Sequence, residues 1–170
     1  AGMWADPYKG SHIRELRKLE LHEWWYEKEF ETPSGLDARS RTELRFHGVD
    51  CIAEYWLNGE KLGSSDNMLV SHVFDLTGKL KREGVNRLYV RLASPVLEAM
   101  KYEYDPSMWA MDYNWAQLWV RKAAHGFGWD IMPRALSAGL WRDVEIAVRD
   151  ETEIMEPYFY TRQADASGAW

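Results

Sequence analysis

The chain of 170 residues is 46% hydrophobic, so it can bury one core with little left for a second full domain. Its net charge of −6 argues against a nucleic-acid partner, because a polyanion is bound by clustered Lys and Arg. No stretch approaches the roughly 20 consecutive apolar residues of a membrane helix, and no targeting signal is visible. We therefore expect a soluble chain without a membrane partner, and its cellular compartment stays unknown.

The first predicted element is a short surface helix over residues 12–21, where Ile13, Leu16 and Leu19 recur about one turn apart. Strand candidates bounded by Gly, Pro or Ser follow at residues 24–30, 42–46 and 70–76. Between them, Asn58-Gly59 predicts a tight hairpin, because this dipeptide adopts the positive φ angles of a type I′ turn.

Two later segments alternate between apolar and polar residues with period two, as half-buried strands do. The expected inward residues are Leu88, Val90 and Leu92 in the first segment and Val144, Ile146 and Val148 in the second. Residues 157–161 form one more strand candidate. So many short antiparallel strands are typical of a β-sandwich.

Two more short helices are predicted between the last strands. Residues 95–102 begin with Pro95, which suits the first helical position. A second helix is expected to run from Asp112, acting as its cap, to about residue 124, with Gly126 ending it.

Common catalytic and metal-binding motifs are absent from the sequence. Gly-x-Ser-x-Gly does not occur, and the five histidines are never spaced as metal ligands, so we expect no metal and no cofactor. Cleavage of a glycosidic bond needs two flanking carboxylates, and 27 acidic residues alone do not reveal such a pair.

Residues 127–133, Phe-Gly-Trp-Asp-Ile-Met-Pro, place an indole next to a carboxylate in a predicted loop. Trp129 can cover the apolar face of a pyranose ring, while Asp130 can accept hydrogen bonds from two neighbouring hydroxyls. From the residue types a structural interpretation stays open, in which Trp129 plugs the edge of the sandwich and Asp130 caps backbone N–H groups.

The chain contains, in this order, Trp25-Tyr26, residues 44–50 (LRFHGVD), 53–63 (AEYWLNGEKLG), 74–76 (FDL), 80–92 and 139–146 (GLWRDVEI). Together these segments resemble the N-terminal sugar-binding domain of family 2 glycoside hydrolases. Residues 6–8 (DPY), 67–68 (NM) and 94–96 (SPV) are more similar to the β-mannosidase branch than to the β-galactosidase or β-glucuronidase branches. Arg121-Lys122 with residues 127–130 (FGWD) and Pro133 resembles the mannosidase loop that reaches into the active site of a neighbouring barrel.

This resemblance implies an all-β fold for residues 1–150, a jelly-roll, galactose-binding-domain-like antiparallel β-sandwich with a few short helices. Residues 151–170 would form an exit strand and linker toward an immunoglobulin-like domain. Trp129 and Asp130 would line the terminal mannose subsite, although Ile131 and Met132 stand where the family loop has Trp and Gly.

The resemblance also places the catalytic glutamates on a downstream (β/α)₈ barrel, and no segment of this chain matches them, so no catalytic residue is expected here. The expected function is that of a non-catalytic domain of a β-mannosidase-like exo-glycosidase. Its expected partners are a terminal β-linked sugar, a mannoside, and downstream domains of the same chain. The alternatives are a stand-alone carbohydrate-binding module, a β-galactosidase- or β-glucuronidase-type parent, and a domain that only buttresses its neighbours.

Overall fold

A computed structural model of the chain describes residues 5–36, 41–103, 105, 107–108, 110–111, 114–149, 152, 154 and 157–169. The strands are β1 (Trp24–Glu31), β2 (Arg41–Phe46), β3 (Val49–Asp50), β4 (Ala53–Leu57), β5 (Glu60–Ser65), β6 (His72–Asp75), β7 (Val85–Leu92), β8 (Gly139–Leu140), β9 (Val144–Arg149), β10 (Ala164–Asp165) and β11 (Gly168–Ala169). Helix α1 spans Pro95–Ala99, and 3₁₀ helices span His12–Leu21, Trp115–Trp119 and Ala124–Phe127.

Two antiparallel sheets form the sandwich, so the predicted all-β fold is confirmed. One sheet has the order β1-β7-β4-β5 and the other β6-β2-β9, while β3 pairs with β8 and β10 pairs with β11. Strand β5 lies against β6 on one side of the sandwich, where a Cβ at Gly63 would lie 2.7 Å from the Phe74 ring. Glycine at this position therefore lets the two sheets approach each other.

The core between the sheets combines aromatic and aliphatic side chains. Phe46 and Tyr55 are fully buried with ring centroids 4.6 Å apart, and Phe74 packs against both. The core residues are Leu44, Phe46, Val49, Ala53, Tyr55, Leu57, Leu76, Leu88, Val90 and Leu92. Because burying one such aliphatic side chain contributes about 1.5–3 kcal/mol, this cluster is the main source of stability.

A second, smaller core lies beside the sandwich, under the 3₁₀ helices. It consists of Ala99, Ala116, Val120 and Phe127. Tyr102 stacks on Trp119 at its margin, with ring centroids 5.1 Å apart and planes 9° from parallel. This cluster supports the segment that leads into residues 127–133.

The hairpin between β4 and β5 is confirmed at the predicted turn. Asn58 has φ of 53° and Gly59 has φ of 89°, as a type I′ turn requires. The Asn58 side chain also donates to Oδ1 of Asn86 at 3.0 Å and accepts from the Arg87 N–H at 3.0 Å. The turn is therefore tied to β7 as well as to its own strands.

The helix predicted from residue 112 to residue 124 is wrong as one element. Two short 3₁₀ helices occur instead, because the backbone at Val120 is extended and Arg121 forms a bridge with Asn67. Gly126 lies within the second of these helices and Gly128, with φ of 105°, follows its end. Asp112 lies outside the described residues.

Other expectations are met in part. The helix over His12–Leu21 is present as a 3₁₀ helix, and α1 begins at Pro95 as predicted. Residues 157–161 form no strand in the structure. On β9 the expected inward residues are incompletely covered, with Val144 37% and Val148 56% exposed.

Within the described part of the chain, no helix is long and apolar enough to span a membrane.

Candidate functional site

Trp129 and Asp130 lie in a tight turn that leaves the second core. The backbone N–H of Trp129 donates to the Met132 carbonyl at 2.8 Å, and the Met132 N–H donates back at 3.2 Å. Closer to the base, the Ala135 N–H donates to the Gly126 carbonyl at 3.0 Å. These bonds close the segment as a small hairpin-like loop, with its tip at residues 129–132.

The loop presents both predicted site residues to solvent. The Trp129 side chain is 65% exposed, and Asp130 is exposed beside it. Oδ1 of Asp130 accepts a hydrogen bond from the next backbone N–H, that of Ile131, at 3.1 Å. Trp129 therefore does not plug the sandwich edge, whereas Asp130 does make one of the local backbone contacts that the structural interpretation expected.

A buried ammonium group ties the two ends of this segment together. Lys122, whose side chain is 1% exposed, pairs with Asp50, whose side chain is 3% exposed. The same ammonium donates to the Ser137 carbonyl at 2.6 Å, and the Ser137 hydroxyl donates to Asp50 Oδ2 at 2.6 Å. Residues 122 and 137 are thus fixed to one carboxylate at the end of β3.

A second buried ion pair holds the descending arm of the loop. Nε and Nη2 of Arg134 each donate to one carboxylate oxygen of Glu20 at 2.8 Å, a fork-like geometry that is among the stronger charge-assisted contacts. Both side chains are largely buried. The Arg134 guanidinium also lies 5.4 Å from the centroid of the buried Phe127 ring. The first 3₁₀ helix and the loop are therefore locked to each other.

The ascending arm is held by backbone contacts from another loop. The Met68 N–H donates to the Arg121 carbonyl at 3.0 Å, and the Ala123 N–H contacts the Met68 sulfur at 3.0 Å. Asn67 turns the chain there by accepting from the Leu69 N–H at 2.9 Å. Two segments that the sequence singled out separately, residues 67–68 and residues 121–122, are thus in direct contact.

The tip of the loop offers an aromatic ring and one carboxylate. Asp130 is the only titratable side chain between residues 127 and 133, so the loop offers an apolar ring face and carboxylate acceptors. Among the described residues, no group of three or more His, Cys, Asp or Glu could hold a metal ion. An indole beside a carboxylate on a fixed turn suits a ligand with both C–H faces and hydroxyl groups.

Sequence reasoning missed the residues that fix the loop. Lys122 falls within the helix predicted for residues 112–124, and the sequence assigns no role to Asp50, Ser137, Glu20 or Arg134. Their contacts join positions up to 114 residues apart, so no local spacing could have revealed them. The local sequence gives no signal that Lys122 is buried, because it directly follows another basic residue, Arg121.

Comparison with known proteins identifies relatives for nearly all of the chain. The profile of the family described as glycosyl hydrolase 2 galactose-binding domain-like matches residues 1–142. β-Mannosidase B of Aspergillus clavatus is 33% identical over 150 residues, which cover 84% of this chain and 17% of that protein. β-Mannosidase of Mus musculus is 30% identical over 176 residues, covering 99% of this chain and 20% of that protein.

A solved structure gives the same picture for the fold. The β-D-mannosidase of Dictyoglomus thermophilum superposes with a TM-score of 0.85 at 31% identity, over 95% of this chain and 20% of that one. The chain therefore spans about a fifth of the length of these relatives.

Proposed function

Because this chain belongs to the glycosyl hydrolase 2 galactose-binding domain-like family, we propose that it is a non-catalytic domain of a β-mannosidase-type exo-glycosidase and that Trp129 and Asp130 contact the terminal sugar. The observation that carries this proposal is the outward pair of indole and carboxylate on a turn anchored by two buried ion pairs. Such a turn holds its shape before any ligand arrives.

Ordering side chains and loops on binding normally costs free energy, about 0.5–1.5 kcal/mol for each flexible side chain. A turn that is already ordered in the free protein reduces this cost. The turn at residues 129–132 is already closed by its own backbone bonds. Trp129 can then stack on the C–H face of a pyranose, while Asp130 accepts from adjacent hydroxyls through the carboxylate oxygen that does not bond Ile131.

One exposed turn contacts only one side of a sugar ring, and binding sites for small ligands normally surround most of the ligand. The remaining contacts and the catalytic groups would come from other parts of a longer polypeptide, in keeping with relatives about five times the length of this chain. The preference for β-mannosides is supported by the names of those relatives.

Kinetics of the full-length polypeptide on an aryl β-mannoside test this proposal. Trp129→Ala and Asp130→Asn should each lower kcat/KM by a factor of about 5 to 150, which corresponds to roughly 1–3 kcal/mol of lost transition-state binding. Trp25→Ala is the matched control, because Trp25 is 58% exposed on the outer face of β1 and should leave kcat/KM unchanged. Unchanged kcat/KM in both loop variants would remove this pair from the site.

Two further measurements separate the alternatives. Calorimetric titration of residues 1–170 with mannose tests the stand-alone binding module, which requires millimolar or tighter binding. Parallel assays of the full-length polypeptide on aryl β-galactoside and β-glucuronide test the other parent types. Turnover of any of the three substrates by residues 1–170 alone would refute the non-catalytic assignment.

A further inference from the structure

The side of the sandwich between β1 and β9 is open. A groove of about 610 Å³, here called the open seam, lies between these edge strands. Its apolar lining comes from both sheets and includes Leu44, Leu88, Val90, Leu140, Val144 and Ile146. The opposite side is closed where β5 meets β6. The open seam therefore borders the flank of the main core, where Leu44, Leu88 and Val90 are buried and Val144 is 37% exposed.

The hydrogen-bond pattern shows which backbone groups of β9 are free. The His47 N–H donates to the Asp143 carbonyl, and such bonded pairs recur at every second residue of an antiparallel ladder. Residues 145, 147 and 149 therefore bond to β2. The N–H and C=O groups of Val144, Ile146 and Val148 point to the open side, and no strand of the described residues pairs with them.

The two edges of the seam differ in character. β1 carries four charged residues, Glu27, Lys28, Glu29 and Glu31, which discourages pairing with another strand. β9 reads Val-Glu-Ile-Ala-Val-Arg without Pro or Lys, and Val148 is 56% exposed. Natural sheets usually protect such an apolar edge, so β9 is the edge that can accept a further strand.

We propose that the open seam is filled by a β-strand of the same polypeptide from outside residues 1–170, which pairs with β9 and lays alternate apolar side chains over Leu44 and Ile146. Only an extended backbone supplies partners at the two-residue repeat of the free N–H and C=O groups, so an extended strand fits the edge where a sugar or lipid does not. Seven strands form the two main sheets, and an eighth beside β9 completes the four-on-four arrangement of a jelly roll.

The same polypeptide is the favoured source because the matched relatives extend far beyond this domain, which covers only 17–20% of their lengths. A tethered strand meets the seam at a high effective concentration, whereas a second molecule must be recruited from dilute solution. The proposal does not depend on any role of Trp129 or Asp130.

Residue-resolved amide hydrogen exchange on the full-length polypeptide tests the proposal. The amides of Val144, Ile146 and Val148 should exchange at least about 100-fold more slowly there than in residues 1–170 alone. The amides of Glu145 and Ala147, which bond to β2, report that the sheet is folded in both samples.

A substitution provides an independent readout. Val144→Lys should speed exchange at Ile146 and Val148 in the full-length polypeptide, because it places a charge in the filled seam. Val73→Lys is the control, since Val73 is 47% exposed on edge strand β6 away from the seam. Equal effects of the two substitutions count against a filled seam.

Three exchange results would overturn the proposal. Fast exchange of the three outward amides in the full-length polypeptide means that nothing pairs with β9. Protection in residues 1–170 alone that rises with protein concentration assigns the seam to a second copy. Protection there that is independent of concentration means that residues 1–170 close the seam themselves.

Discussion

Replacing Lys122 with Met tests whether its buried ammonium holds the loop. The Asp50 carboxylate, 3% exposed, would keep only the Ser137 hydroxyl as a partner, and the Ser137 carbonyl would lose its donor. Removing one member of a buried ion pair costs about 3–5 kcal/mol, a large part of the 5–15 kcal/mol that typically stabilises a domain. With a urea dependence of about 2 kcal/mol per molar, the unfolding midpoint should fall by about 1.5–2.5 M.

Urea unfolding followed by near-ultraviolet circular dichroism measures this effect. The double variant Lys122→Met with Asp50→Leu should recover most of the loss, because no buried charge remains unpaired. Lys101→Met is the control, since Lys101 pairs with Glu98 at the surface and such pairs contribute less than about 1 kcal/mol. A shift below about 0.5 M in the single variant, or no recovery in the double, would refute this role of Lys122.

Two further predictions concern other buried groups. Arg134→Met should destabilise the protein by about 2–4 kcal/mol in the same assay, because Glu20 loses the two bonds it accepts from the guanidinium. Arg142→Met, at an exposed position, is the control. Equal losses of stability in the two variants would contradict the prediction. Burial raises the pKa of the Cys51 thiol from 9.0 to about 12. The unfolded thiol ionises above pH 9 while the folded one keeps its proton, so stability falls as pH rises from 9 toward 12. Between pH 8 and pH 10 wild type should lose about 1.4 kcal/mol more than Cys51→Ala in urea unfolding, and equal losses would contradict this.

The sheets were predictable because their signals are local. Alternation of apolar residues located β7, where Leu88, Val90 and Leu92 are buried as expected, and Asn58-Gly59 located a turn. These patterns follow from the two-residue period of a strand and from the positive φ angles of the turn, which neighbouring residues alone determine.

The segment leading into the candidate site was less predictable because distant contacts shape it. Residues 112–124 have helix-like spacing, yet the bridge between Asn67 and Arg121 draws the chain out into an extended conformation. The identities of Trp129 and Asp130 were noticed from the sequence, whereas their outward placement depends on two ion pairs between elements far apart in the chain. Their contact with sugar remains a prediction.

The loop at residues 126–135 separates stability from selectivity. Its base is bound into the buried interior through Lys122 and Arg134, whereas the tip residues are in solvent, with Ile131 84% exposed. Substitutions at the tip therefore change what the loop touches at little expense in folding free energy, since exposed positions away from such anchors usually shift stability by no more than about 0.5 kcal/mol. Single substitutions at the tip can therefore change ligand preference while the domain remains stable enough to fold.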